Sequence, residues 1–286
     1  MALPKLQLQT SILEMNDQLF EAITSMVSAE TGIQFLPEKR TLVQARISKR
    51  IRTLKISNFE DYYAFLNSAE GATERKSLVS VLTTNVTRFF REDHHFDHLK
   101  TEVLPDLIKR ARNGGRVRLW SAGCSSGEEP YSMAMSVLSL DRDVAQYDFK
   151  ILASDLDPVV VTKAQAGIYR DSSVQTVPAP LNKTYFTSNG DGTSTVSDKL
   201  KELIAFRELN LMHPWPFKGS FDVIFCRNVV IYFDAPTSEK VWAKFAERLQ
   251  PNGTLFVGHS ERVGNADAIG LNAVGVTAYR KSGPSV

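Results

Sequence analysis

Residues 116–134, RVRLWSAGCSSGEEPYSMA, constrain the fold more than any other stretch of this chain. Arg116 to Trp120 alternates basic and apolar residues and ends on an aromatic, the pattern of a strand. Ser121 to Gly127 is small and polar, and Gly123 and Gly127 allow a sharp turn and a close backbone approach. Glu128 and Glu129 then open a helix with Pro130 in its first turn, where a missing N–H costs nothing. Strand, small-residue turn and helix form the entry of an α/β nucleotide-binding unit.

The paired carboxylates argue against a dinucleotide. A pyrophosphate at a helix N-terminus needs bare N–H groups and no adjacent anion. Glu128 and Glu129 would repel phosphate and suit a ligand with an ammonium or hydroxyl groups; S-adenosylmethionine has both and no phosphate. Equally, they can simply complement the helix dipole.

With 286 residues the chain has room for one large domain or two ordinary ones. No apolar run reaches the roughly 18 residues that span a bilayer, and MALPKLQLQT lacks the apolar core of a signal peptide. Cys124 and Cys226 are the only cysteines, which excludes a disulfide framework and an all-cysteine zinc site and fits a reducing cytoplasm. Net charge is +2, so any basic surface must be local.

Residues 1 to 75 are expected to form a small helical domain, with the larger domain in 76–286. One helix runs from Asn16 to about Thr31, closed by Gly32. The next lies within Leu36 to Leu54, where Val43, Ile47, Ile51 and Leu54 form an apolar stripe. Between Lys39 and Lys55 stand seven basic residues and no acid, with Arg46, Lys49 and Arg50 at helical spacing. A solvated face would explain them, but so focused a charge also attracts an acidic partner, nucleic acid or protein. No aromatics are interleaved, which disfavours single-stranded nucleic acid. Ser57 can cap a third helix, Asn58 to Leu66, and Gly71 to Thr73 is a break.

TTNVTRFFR (83–91) leads into a helical stretch, Glu92 to Arg112, holding His94, His95 and His98. No second ligand cluster at metal spacing accompanies these histidines, so no metal is expected. Lys150 to Asp157 reads as a strand ending in acids. Asp155 and Asp157 are both placed to meet ribose hydroxyls; Asp157 before Pro158 also suits a helix cap, and Asp155 is assigned the ribose. SNGDGTSTVSD carries the signals of a tight hairpin, so a small antiparallel insertion is expected within about 170–205, its strands from about Tyr185. Further strands are expected at Phe206–Leu211, Phe221–Phe225, Thr254–His259 and Ala273–Arg280. Asn228 sits at the carboxyl end of a buried strand, where ligands bind in open α/β sheets, or makes a local turn bond.

NVTRFFR, WSAGCSSGEEPYS, ASDLD, FDVIFCRNVVIYF and GHSE, in this order and nearly spanning the chain, strongly resemble the chemotaxis receptor methyltransferases, the CheR family. The resemblance implies a Rossmann-like S-adenosylmethionine-dependent domain with an inserted antiparallel β subdomain, preceded by a small all-α domain. It implies methyl transfer to glutamate carboxylates of bacterial chemoreceptors, giving glutamyl 5-O-methyl esters and S-adenosylhomocysteine in chemotactic adaptation. Residue by residue, it implies that Asn85, Thr87 and Arg91 contact the cofactor, that Glu128 or Glu129 meets its methionine end, and that Asp155 holds the ribose. Asn210, Leu211, Asn228 and Val229 surround the adenosine, and Arg91 and Tyr232 lie near the transferred methyl. Arg46, Lys49 and Arg50 dock on the receptor methylation helices. The expected protein is a cytoplasmic monomer recruited to membrane receptor arrays, with no nucleic-acid partner, no membrane insertion and no further domain after Arg280. Two other readings are a nucleic-acid methyltransferase and a non-catalytic cofactor-sensing adaptor.

Overall fold

The computed structural model describes residues 14–283. The readings of MALPKLQLQT and of any further domain beyond the chain's last strand lie outside the described residues. Two compact units divide between Leu82 and Thr83.

The first unit holds α1 (Asp17–Thr31), α2 (Arg40–Leu54), α3 (Phe59–Asn67) and α4 (Ala72–Leu82). Asn16 caps α1 by accepting the Leu19 N–H at 2.9 Å, and Gly32, at φ +75°, ends it in the left-handed turn glycine favours. Val43, Ile47 and Ile51 are buried as their spacing predicts. The cap of α3 is Asn58 rather than Ser57, its side chain accepting the Asp61 N–H at 2.7 Å. Helix α4 runs unbroken to Leu82, which carries the division between units seven residues past the expected one.

The second unit opens with α5 (Asp93–His98), a wide π-type turn (Leu99–Val103) and α6 (Leu104–Arg112). There follow β1 (Val117–Ala122), α7 (Glu128–Leu140), β2 (Phe149–Asp155) and α8 (Pro158–Ala166). The insertion contains β3 (Ile168–Arg170), α9 (Asp171–Val174), α10 (Ala179–Tyr185), β4 (Phe186–Ser188), β5 (Thr193–Val196) and α11 (Asp198–Lys201). The chain then returns through β6 (Ile204–Glu208), β7 (Phe221–Cys226), α12 (Ala235–Arg248), β8 (Leu249–Val257), β9 (Leu271–Gly275) and β10 (Ala278–Lys281).

The main sheet has the order β6-β2-β1-β7-β8-β10-β9. From β6 to β8 all neighbours are parallel, while β10 runs antiparallel to both β8 and β9. The expected single last strand is therefore a hairpin, with Thr277 at φ +49° making the reversal. The third strand begins and ends earlier than expected, and Leu209 to Leu211 lie beyond it. The insertion is a separate antiparallel sheet, β3-β5-β4, its third strand supplied by residues just upstream of the expected range.

Side chains alternate across the parallel strands. Val117, Leu119, Val223, Phe225 and Phe256 join the core that contains α7 residues; Trp120, Ala122, Ile224, Cys226, Leu255 and Val257 join the core of α12. Both faces are buried, which is why these strands read as continuous apolar runs. From β1 the chain passes to β2 on one side, and β7 occupies the other. The carboxyl ends of β1 and β7 thus flank the switch point, where ligands bind in such sheets.

Candidate active site

The turn after β1 is shaped by three positive-φ residues, Gly123 (+84°), Ser125 (+49°) and Gly127 (+98°). A Cβ on Gly123 would lie 2.3 Å from Val229 Cγ2, and one on Gly127 would lie 2.8 Å from Ala164 Cβ, so both positions need glycine for space as well as conformation. The turn is tied to the end of β2. Gly123 and Cys124 donate to the Ser154 carbonyl at 2.8 and 2.9 Å, and the Ser125 N–H donates to Asp155 Oδ2 at 2.8 Å. Asp155 Oδ1 accepts from the Asp157 N–H at 3.0 Å. Burial pushes the Asp155 carboxyl up to about 6 against the pull of these N–H donors.

Asp157 caps α8 through the Val159 N–H at 2.9 Å, and its second oxygen accepts from Asn85 Nδ2 at 3.0 Å. The Asn85 carbonyl accepts from Ser125 Oγ at 2.9 Å. Asn85 is thereby fastened to both the turn and the second acid. The half-buried Thr87 follows it, and Phe89 packs edge-on against Tyr169 of β3 and Phe186 of β4, at 5.0 and 5.4 Å. The segment bends sharply at Phe90 (φ +51°) and Glu92 (φ +58°). Between them Arg91 is one-third exposed, and its Nη1 donates to the Val86 carbonyl at 3.1 Å.

Arg227, which the sequence reading passed over, holds this corner in place. Its buried guanidinium meets Glu129 Oε2 at 3.1 Å and Glu92 Oε2 at 3.2 Å, and donates to the Arg91 carbonyl. Its charge also lies over the rings of Phe96 and Phe225. Burial alone would raise the Glu92 carboxyl, but Arg227 and His259 outweigh it and hold it at about 2. Glu129 accepts from Ser121 Oγ at 2.7 Å, and Glu128 from Ser126 Oγ at 2.7 Å. Burial raises both carboxyls, in Glu129 against the pull of Arg227.

On the β7 side, Asn228 takes φ +59° and Val229 fills the space beside Gly123. Tyr232 ends a short 3-10 turn, Val230–Tyr232, and is half-buried. Asn210 Oδ1 accepts the Met212 N–H at 2.8 Å, and Leu211 is buried. The buried carboxylate of Glu261 reaches the loop after β7; the GHSE motif marks its place but not its partners.

Three carboxylates, the buried Glu128 and the partly buried Glu129 and Asp155, therefore line one turn at a helix N-terminus. Such an anionic lining fits an ammonium and ribose hydroxyls and disfavours phosphate. It suits S-adenosylmethionine. Among the described residues no cluster of His, Cys, Asp or Glu is arranged to hold a metal. His95 instead pairs Nε2 with Thr277 Oγ1 at 2.8 Å, and burial, with Arg227 nearby, pushes its imidazole down to about 3.

In the first unit, Arg46 Nη1 donates to the Val81 and Leu82 carbonyls at 2.9 and 3.0 Å. Arg50 is bidentate to the buried Glu74, Nε to Oε1 at 2.9 Å and Nη2 to Oε2 at 2.5 Å. Of the three expected docking residues, only Lys49 is exposed; Arg52 and Lys55 are exposed beside it.

Residues 85–278 match the family described as CheR methyltransferase, SAM binding domain, and residues 18–83 match the CheR methyltransferase all-alpha domain. A probable chemotaxis protein methyltransferase of Rhizobium etli is 51% identical over 89% of this chain and 96% of its own length. The chemotaxis protein methyltransferase 2 of Pseudomonas aeruginosa is 38% identical over 91% of each chain. The Escherichia coli chemotaxis protein methyltransferase is 38% identical over 88% of this chain and 87% of its own.

Proposed function

The chain belongs to the CheR family of S-adenosylmethionine-dependent chemotaxis methyltransferases, and from that premise we propose that it esterifies glutamate side chains of chemoreceptors, giving glutamyl 5-O-methyl esters. The supporting observation is the joining of the carboxylate-lined turn to the Arg91 corner through the single guanidinium of Arg227.

S-adenosylmethionine supplies an electrophilic methyl group on a sulfonium. Glu129, or Glu128 beside it, receives the ammonium of the methionine end. Asp155 accepts from the ribose hydroxyls, and Asn85, Thr87, Asn210, Leu211, Asn228 and Val229 enclose the rest. A substrate glutamate is already ionised at neutral pH, so no general base is required of the protein. What remains is to hold carboxylate oxygen, methyl carbon and sulfur in line and to exclude water. Arg91 orients the incoming carboxylate through its guanidinium, and Tyr232 positions the reacting groups. Because attack neutralises opposite charges, alignment matters more than charge stabilisation at the reacting centre.

The receptor's methylation helices are the partner, met by the basic face of α2 through Lys49 and the exposed Arg52, with Lys55 exposed just past the helix end. Arg46 and Arg50 contribute to the face chiefly by shaping it. No described helix is long and apolar enough to cross a membrane; receptor arrays provide the membrane attachment, and the enzyme acts as a monomer without nucleic acid. Incubating the protein with a soluble receptor cytoplasmic fragment and S-adenosylmethionine, then mapping peptides by mass spectrometry, tests the proposal. Single-methyl mass increases on glutamates are expected; modification elsewhere, or none, would overturn it.

A further inference from the structure

Glu261 belongs to no helix or strand, yet it is only 4% exposed. Its carboxylate gathers five backbone N–H groups. Oε1 accepts from Val229, Val230 and Ile231 at 3.0, 2.8 and 3.2 Å, and Oε2 accepts from Asn228 and Gly258 at 2.8 and 2.5 Å. Four of the five lie in the loop after β7. Converging N–H groups of this kind ordinarily make a nest for an external anion. Here the chain supplies the anion itself, from the loop after the neighbouring strand. The pairing of Cys226 with Val257 brings those two loops side by side.

Within the loop the Tyr232 and Phe233 N–H groups donate to the Val229 and Val230 carbonyls at 3.2 and 2.9 Å, which leaves the N–H groups of 228–231 to another acceptor. Asn228 sits at φ +59°, and the turn that follows has no side-chain cap, so without Glu261 its first N–H groups would be orphaned. A Cβ on Gly258 would lie 2.6 Å from Asn228 Nδ2 and 2.8 Å from Glu261 Oε2; glycine is what lets the carboxylate slide under the loop. The residue so held, Val229, is the one that packs into the space left by Gly123 in the turn after β1.

We infer that Glu261 is a positioning residue: it fixes the loop 228–231 before any ligand arrives, and so sets the wall of the cofactor site formed by Asn228 and Val229. The inference rests on the reading of that loop as the adenosine side of the site. It requires a carboxylate, because an amide offers one acceptor and turns N–H groups toward the donors at the other oxygen.

The test is cofactor binding combined with amide hydrogen exchange. In the ligand-free wild type, the amides of residues 228–231 should already exchange slowly, a measurement that needs no variant. Glu261→Gln and Glu261→Ala should bind S-adenosylhomocysteine roughly tenfold more weakly or worse by calorimetry, the scale of one or two lost buried hydrogen bonds, while keeping a cooperative thermal transition. Formate, a carboxylate without a side chain, should restore affinity to Glu261→Ala and leave the wild type unchanged. Free exchange of those amides in the wild type, wild-type affinity in either folded variant, or no gain with formate would each overturn the inference. None of these readouts involves methyl transfer, so they hold even if chemoreceptors prove not to be the substrate.

Discussion

Arg227 Nη1 lies 3.1 Å from Glu129 Oε2, deep under the turn that follows β1. Through its other nitrogen the same guanidinium holds Glu92 and the carbonyl of Arg91. One buried cation thereby sets the distance between an acid proposed to receive the cofactor's ammonium and the residue proposed to orient the substrate.

Replacing Arg227 with alanine leaves Glu92 and Glu129 buried without their cation, which should cost about 3–5 kcal/mol. Urea denaturation at neutral pH measures the loss. The acid limb provides a second check. The Glu92 carboxyl is held at about 2 against an ordinary value of 4.5, so its contribution is complete above pH 4.5 and is lost as pH falls toward 2. The variant should lose less stability than the wild type across that window.

Asp155 should make cofactor affinity pH-dependent. In the ligand-free protein its carboxyl sits at about 6, above the ordinary 3.8, so its ionisation lowers stability as pH rises through that interval. The ribose hydroxyls proposed to meet Asp155 would donate to its ionised form, so binding would expel the proton. Calorimetric affinity should fall as pH drops below about 6, by up to about tenfold per pH unit. Asp155→Asn should bind more weakly and lose this slope. Equal affinity in the variant would remove the ribose assignment.

Arg91→Ala should leave stability within about 1 kcal/mol, since from a partly exposed position its side chain makes one carbonyl bond and a long ion pair with Glu92 at 3.9 Å. Methyl transfer should fall by about a hundredfold, the penalty for poor alignment. Single-turnover kinetics alongside thermal unfolding separates the two. Wild-type turnover would sink the orienting role.

The basic helix needs two separate experiments. Arg50→Ala should destabilise the protein by about 2–3 kcal/mol, because Glu74 is left buried with only Tyr62 for support. Reversing Lys49, Arg52 and Lys55 to glutamate should spare stability and cofactor affinity while raising the receptor KM. An unchanged KM would make the exposed bases an ordinary solvated face.

Much of this was legible in local patterns. The turn after β1 declared itself through Gly123, Gly127 and the helix-opening acids, and the buried strands through apolar runs. Asp157 is the helix cap that its place before Pro158 predicts. What was hidden depends on long-range pairing. Arg50 looks like a surface base until α4 brings Glu74 against it. The partners of Arg227 and four of the five N–H groups that meet Glu261 lie thirty or more residues away, and no spacing rule reports such contacts. Likewise, the single strand expected at Ala273–Arg280 folds back at Thr277, a residue with no turn signature.

The most direct test is methyl transfer from radiolabelled S-adenosylmethionine to chemoreceptor-containing membranes, followed by mild alkali. Label should appear on the receptor and leave as volatile methanol, the signature of a carboxyl methyl ester. Label stable to alkali, or no transfer from a protein that binds the cofactor by calorimetry, would contradict receptor glutamate methylation.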